Sequence, residues 1–306
     1  MGETEDAGAR WMRHMRRGEM SAAWAIADET IAREETWLNL PPERHLRPVW
    51  RGQPVEGRRV LVRCHHGLGD TIQFVRYIPR LGRVASGVTL AAQSPLIQLL
   101  KGMPCLDHLI ELEEAYGEEG CGVELEITEL PHLFRDTLET IPADVPYIAV
   151  PPAEREPRLP GQRVVGIVHQ AGDWDQRRSV PPELLDRLEA VSGVQMINLQ
   201  RGSARIHVPR GFGIPEGERD LLEIAALFRS LDLLVTVDTM AAHLAGALAV
   251  PTWTLLHSEP DWRWLEDRSD SPWYPTMRLY RQQTPGDWEG VLQDVVRDLR
   301  ELELTA

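Results

Sequence analysis

The stretch Cys64-His65-His66-Gly67-Leu68-Gly69-Asp70-Thr71-Ile72-Gln73 puts two imidazoles, two glycines and a carboxylate into one turn. An acid so placed can start a helix, orient an acceptor hydroxyl or take its proton. Asp70 with Gln73 three residues on forms a capping-box-like pair, which assigns Asp70 to the helix start. A helix amino terminus favours negative charge, so a carboxylate there is a weak base, suited to a proton that turns acidic as bond formation advances. His65 and His66 are rival bases, since imidazole titrates near neutrality. Gly67 and Gly69 suit a backbone that turns through positive φ or approaches a ligand closely. A dinucleotide cradle does not fit: the third glycine of GxGxxG falls at Ile72, and the next strand ends in LAAQS with no acid for a ribose. The Lys-Ser/Thr pair of a P-loop is missing too. Cys64, His65 and His66 are neighbours on an extended chain and alternate faces, so they converge poorly on a metal ion.

The second half of the chain offers cations and a helix start. Asp173-Trp174-Asp175 has the form of a DxD metal motif, but it lies in a loop of the carboxy-terminal half, where that motif is out of place. Arg177 and Arg178 offer planar, permanently charged forks to phosphate oxygens; their alternative is two solvated arginines before a helix. In LLVTVDTMAAHLAGALAVP (233–251) a buried strand runs into Asp238-Thr239 and a small-residue helix. The free N–H groups of that helix start suit an anion. Asp238 or Thr239 can equally be a plain N-cap, and His243 a core histidine with a satisfied hydrogen bond. Trp262, Trp264, Trp273 and Tyr274 are candidates for stacking on a base or sugar, or for packing, the commoner use of large aromatics.

Positioning these groups requires strands that alternate with helices. RRVLVRC (58–64), GVTLAA (87–92), LDHLIEL (106–112) and GVELEI (122–127) read as strands, with helices from about 70 and over 94–102. Ile72, Val75, Ile78 and Leu81 form the apolar side of the first of these, which Pro79 ends or kinks near Ile78. After the proline-rich stretch 150–161, strands are expected at 163–170, 194–200, 231–237 and 252–256, with helices at 181–191, 219–230, 239–248 and 287–302. This alternation predicts parallel βα units in two α/β halves with a ligand cleft between them. Ahead of them, residues 8–36 carry the spacing of a helix pair broken at Gly18, followed by an irregular connector at 38–57.

At 306 residues the chain exceeds what one core holds, so two domains are expected. The net charge of −14 disfavours nucleic acid, whose binding is driven by counterion release from basic surfaces. No apolar run reaches membrane-span length, and the charged first residues do not form a secretory signal. Three cysteines without a CxxC pair indicate neither a disulfide framework nor structural zinc, which fits a reducing cytoplasm.

GLGDTIQFVRYIP, ITELPHLFRDTLETIPADVPYI, RRSVP, NLQRG, VDTMAAHLAGALAVPTWTLL, DWRW and SPWYPTMRLYRQ…PGDW occur in the same order as in the heptosyltransferase-like (family 9-like) glycosyltransferases, and the chain resembles that family from about 48 to 290. The nearest resemblance is to the bacterial group associated with tetratricopeptide repeats, some of which glycosylate proteins. The resemblance implies a GT-B fold: a helical extension over 1–50, a Rossmann-like acceptor domain over 51–152, a nucleotide-sugar domain over 153–286, and a carboxy-terminal helix over 287–306 packing back across the cleft. It further implies a nucleotide-diphosphate sugar as donor, a protein or glycan acceptor and no metal or other cofactor. Asp70 matches the family's general base. Arg178, Asp238, Thr239, Met240 and His243 match its diphosphate-binding positions, and Gly69, His66 and Gln200 join them as substrate-binding candidates. His65-His66 stands where close relatives carry Glu-Gln, and Met240 where they carry a smaller residue. Two alternatives stay open: a non-catalytic nucleotide-sugar-binding or adaptor protein, and a nucleotide-sugar epimerase.

Overall fold

A computed structural model describes residues 6–33, 49–117, 122–151, 161–172, 174–200 and 220–304. The amino-terminal sheet has four parallel strands, β1 (Arg59–Arg63), β2 (Gly87–Ala92), β3 (His108–Glu111) and β4 (Val123–Glu126), in the order β3-β2-β1-β4. Val60, Leu61 and Val62 are buried in succession, as expected of a strand covered on both faces. The carboxy-terminal sheet adds β5 (Arg163–Val168), β6 (Val194–Asn198), β7 (Leu233–Val237), β8 (Thr252–Leu256) and β9 (Met277–Arg281), parallel and ordered β6-β5-β7-β8-β9. In each sheet the strand order reverses beside the first strand, between β1 and β4 and between β5 and β7. Ligands of open parallel sheets bind at the carboxyl ends of the strands flanking such a reversal. The strand expectations hold to within two residues at each end. β9, an edge strand, is not among the expected strands.

Five longer helices accompany the sheets in chain order: α1 (Ala7–Arg16), α2 (Met20–Ala32), α3 (Leu68–Phe74), α4 (Leu221–Phe228) and α5 (Met240–Ala247); α6 (Trp288–Leu304) closes the chain. The helix expected from 70 starts earlier and is segmented. After α3 comes a 3-10 turn over Val75–Tyr77, and Pro79 opens a further turn, Ile78–Leu81, rather than ending one. Proline is tolerated in a first turn because its missing N–H has no helical partner there.

The chain divides into two units: residues 1–143 with 261–267, and residues 144–260 with 268–306. The proline-rich stretch expected to part them falls partly outside the described residues. Around its start, the Tyr147 N–H donates to Ala247 O at 3.1 Å and Arg229 Nη1 to Val150 O at 2.9 Å, which ties this segment to the second unit. In the first unit, α1 and α2 turn at Gly18, whose φ of +73° favours glycine. Trp24 of α2 donates to Asp136 O at 2.7 Å, and Asp28 pairs with His132 and Arg135. In the second unit, Trp288, Leu292, Val295 and Leu299 of α6 join Val235, Leu255 and Tyr280 in one core. α6 thus lays these apolar residues on the sheet of its own unit. Among the described residues no helix is long and apolar enough to cross a membrane.

α5 lies against the ring of Tyr274, which is fully buried. A Cβ on Gly246 would sit 2.3 Å from Tyr274 Cδ1, so a methyl there must push the ring or the helix. Gly246→Ala is expected to destabilise the protein by about 1–3 kcal/mol through overpacking. Urea denaturation measures it, and a change within about 0.5 kcal/mol, the range of neutral surface substitutions, would refute the close packing.

Candidate functional site

The turn after β1 is built around Gly67, the N-cap of α3, with φ −67° and ψ 161°. Neither Gly67 nor Gly69 uses positive φ, so of the two uses expected of these glycines the turn through positive φ is not the one made. Gly67 is extended, and Gly69 lies in the first helical turn. Asp70 is therefore the third residue of the helix and not its cap. Its Oδ2 accepts the Gly67 N–H at 3.0 Å, the acid half of a capping box whose other half a glycine cannot supply. Its Oδ1 accepts from Arg263 Nη2. Gln73, assigned by its spacing to the cap, is fully buried instead, with Oε1 accepting from Arg263 Nε at 2.8 Å. Arg263 belongs to the 261–267 segment of the same unit. DWRW gave sequence reasoning no signal of this pairing, because the partner lies 193 positions away.

Around the turn, the His66 carbonyl accepts from Gln93 Nε2 at 2.6 Å, and Gln93 Oε1 accepts from Thr71 Oγ1 at 2.9 Å. The His65 N–H donates to Glu126 Oε1 at 3.0 Å. Glu126, at the end of β4, is 2% exposed, and its Oε2 has no hydrogen-bond partner among the described residues. Burial pushes its carboxyl up to about 9; the His65 N–H opposes this, and the neighbouring Glu129 and Asp70 charges add to it. Burial also pushes Glu129 up to about 7, against the N–H groups of Glu126, Trp50 and Val49 that it accepts. The side of the turn facing the sheet thus stores a neutral acid.

In the second unit, the loop after β5 meets the turn after β7. Arg178 Nη1 donates to Asp238 O at 3.1 Å, joining the two loops that flank the strand reversal. Asp238 is buried, and Thr239 is the N-cap of α5 but makes no side-chain capping bond, so a hydroxyl cap does not cover this helix start. Met240 is the first helical residue. His243, one turn in, is buried, with Nδ1 2.9 Å from Tyr274 Oη, which fits the core-histidine alternative. Gln200 Oε1 accepts the His169 and Gln170 N–H groups at 3.1 and 2.9 Å, so that oxygen holds the loop after β5 in place. Arg177, the other candidate for a diphosphate, is spent on Asp175 and Glu259 at the surface. Its guanidinium, chiefly, holds the Asp175 carboxyl down to about 2. Asp173, the first acid of the DxD-like motif, lies outside the described residues. No group of three or more His, Cys, Asp or Glu side chains comes together as ion ligands among the described residues.

The aromatic candidates for stacking are packed: Trp262, Trp264, Trp273 and Tyr274 are all buried. Among the described residues Trp174 is an exposed aromatic, at 79%, with the Arg178 guanidinium 5.0 Å from its ring centre. The structure brings Arg178, Asp238, Thr239 and Met240 together and adds Trp174. It places Gly69, His66 and Asp70 together in the first unit.

No family model matches the chain. Protein FlbA of Caulobacter vibrioides is 25% identical over 289 residues, which cover 82% of this chain and 48% of that protein, so the chain spans about half the length of this curated relative. Among solved structures, the glycosyl transferase family 9 protein of Veillonella parvula superposes with a TM-score of 0.56 at 13% identity, over 83% of this chain and 99% of its own. The E. coli ADP-heptose LPS heptosyltransferase II gives 0.54 at 15% identity, over 81% and 99%. The iron-containing dodecameric glycosyltransferase TibC of enterotoxigenic E. coli gives 0.52 at 15%, over 78% and 67%. The fold, two parallel-sheet α/β domains, is that of these GT-B glycosyltransferases.

The Glu126 proton gives a stability test. Between the usual carboxylate range and about 9, the folded chain holds a proton that the unfolded chain has released, so stability falls as pH rises. Relative to Glu126→Gln, the wild type is expected to lose up to about 1.4 kcal/mol per pH unit across that window. Denaturation curves at pH 5, 7 and 9 (about two units apart) read this difference; parallel pH dependences would show that Glu126 is not buried as a neutral acid.

Proposed function

We propose that the protein is a glycosyltransferase that moves a sugar from a nucleotide-diphosphate donor to the hydroxyl of a protein or glycan acceptor. The observation that carries this reading is the pair of loops at the β5/β7 reversal: Arg178 fixed on the Asp238 carbonyl, beside a helix start that no hydroxyl caps. A permanently charged fork and free backbone N–H groups suit the two phosphates of a leaving nucleoside diphosphate. Charge that develops there during bond breaking is met without a metal ion. Trp174 stands next to Arg178 as a face on which a base can stack. The neighbour named for ADP-heptose shares this fold and motivates ADP as the first nucleotide to try.

In this reading Asp70 acts on the acceptor. Its charge is already matched by Arg263, so it serves mainly to orient the hydroxyl and accepts the proton late, as the new bond makes that proton acidic. Direct displacement with inversion follows from one such carboxylate. We place the reaction in a reducing compartment. α1 and α2 we read as the remnant of one tetratricopeptide-like repeat.

ADP is expected to raise the melting temperature of the wild type, and Arg178→Gln to weaken ADP binding by about 10–100-fold, the worth of a hydrogen bond to a charged group. Thermal denaturation measures the first and calorimetric titration the second. No stabilisation by ADP, UDP or GDP would overturn the reading. Binding without sugar transfer from any nucleotide sugar would favour a non-catalytic protein, and sugar isomerisation without an acceptor an epimerase.

A further inference from the structure

We infer that Arg263 is the positioning residue of Asp70, and that the amino-terminal helix pair serves the site by holding Arg263 in place. Each guanidinium nitrogen has its own acceptor: Nη2 on Asp70 Oδ1, Nε on Gln73 Oε1 at 2.8 Å, and Nη1 on Asp261 Oδ1 at 2.8 Å. The group also lies 4.7 Å from the ring centre of Trp262 and 5.4 Å from that of Phe74, and the side chain is 13% exposed. A planar fork engaged on three edges and stacked on aromatic faces has few alternative rotamers, and neither does the carboxylate it holds. Asp70 nevertheless stays 25% exposed. Each of its oxygens carries two lone pairs, so the Gly67 N–H and Arg263 leave acceptor capacity for a hydroxyl.

The buttress comes from the amino terminus. Trp11 of α1 meets Trp262 edge-on at 5.7 Å and Trp24 of α2 at 6.4 Å. The Glu266 N–H donates at 3.0 Å to the carbonyl of Arg16, the last residue of α1. A continuous line of contacts, α1 to Trp262 and Glu266, then Arg263, then Asp70, runs through one unit. The helix pair is therefore part of the machinery that aims the carboxylate. Removing its grip leaves Arg263 on a segment whose flanking residues belong to the other unit.

This inference rests on the function proposed above, and the test separates the two. The variants are Arg263→Gln, Arg263→Lys and Trp11→Leu; the measurements are a crystal structure of each, ADP affinity, and the rate of ADP release from ADP-heptose with water as acceptor. We expect the Asp70 carboxylate to leave its position in the glutamine and leucine variants. The release rate should fall about 100-fold in the first, the cost of an ångström of misplacement, and about 10-fold in the second. ADP affinity should stay within about twofold, since Arg178 and α5 lie in the other unit. Lysine, which keeps the charge but cannot reach three acceptors at once, should recover part of the rate and keeps the test open if the glutamine variant does not fold. An unmoved Asp70, an unchanged rate, or an equal loss of rate and ADP affinity would overturn the inference. A wild type that releases no ADP counts against the proposed function, and the Asp70 positions in the variant crystals then decide the positioning claim alone.

Discussion

Parallel pairing is the constraint on which the rest of this chain depends. Every named strand pair runs in the same direction, so every connection must cross over and every strand delivers its carboxyl end to the same edge of its sheet. Where the order turns back on itself, two successive connections leave in opposite directions and a gap opens between them. In the first sheet that gap lies beside the turn carrying Asp70, and in the second beside Arg178 and Asp238. The first edge carries the buried Glu126 and an Asp70 already matched by Arg263, while the second offers the Arg178 guanidinium and a helix start beside the buried Asp238.

The periodic parts of the fold were legible in the sequence, and the reason is physical. A buried parallel strand is a run of apolar residues bounded by glycine, proline or a polar turn, and GVTLAA marks its own ends. β9 escaped because Met277-Arg278-Leu279-Tyr280-Arg281 sits at an edge, where an exposed Arg278 and a half-buried Arg281 dilute the apolar run. Helix starts were harder. Spacing alone cannot tell an acid at the cap from one three residues inside, since both bond a free N–H of the same turn; Asp70 proved to be the second kind. The usual effect of a proline in a helix interior does not apply to Pro79, because the preceding 3-10 turn has already ended α3.

The site divides along the same line. Asp238-Thr239-Met240 at the end of a buried strand is a local pattern, and it sits where the pattern put it. Arg263 is not local, because its value lies in a partner from the far side of the sequence and no window of a single chain contains both. Trp174 and the four buried aromatics illustrate the same limit. Residue type suggests stacking for the four, which burial assigns to cores, while the exposed Trp174 passes in sequence as the middle of an acidic motif. His243 and Gln200 look from sequence like ligand contacts, yet each spends an atom on its own fold, on Tyr274 and on the backbone after β5.

The short return of residues 261–267 to the first unit means that the chain passes between its two halves at 143/144, 260/261 and 267/268. Neither half is one uninterrupted stretch of gene. A fragment ended at 143 would keep Asp70 and lose its guanidinium, leaving a partly covered carboxylate without its counter-ion. The halves cannot be exchanged as cassettes between homologous chains unless the seven-residue excursion travels with the amino-terminal part, so inheritance binds them more tightly than two independent modules.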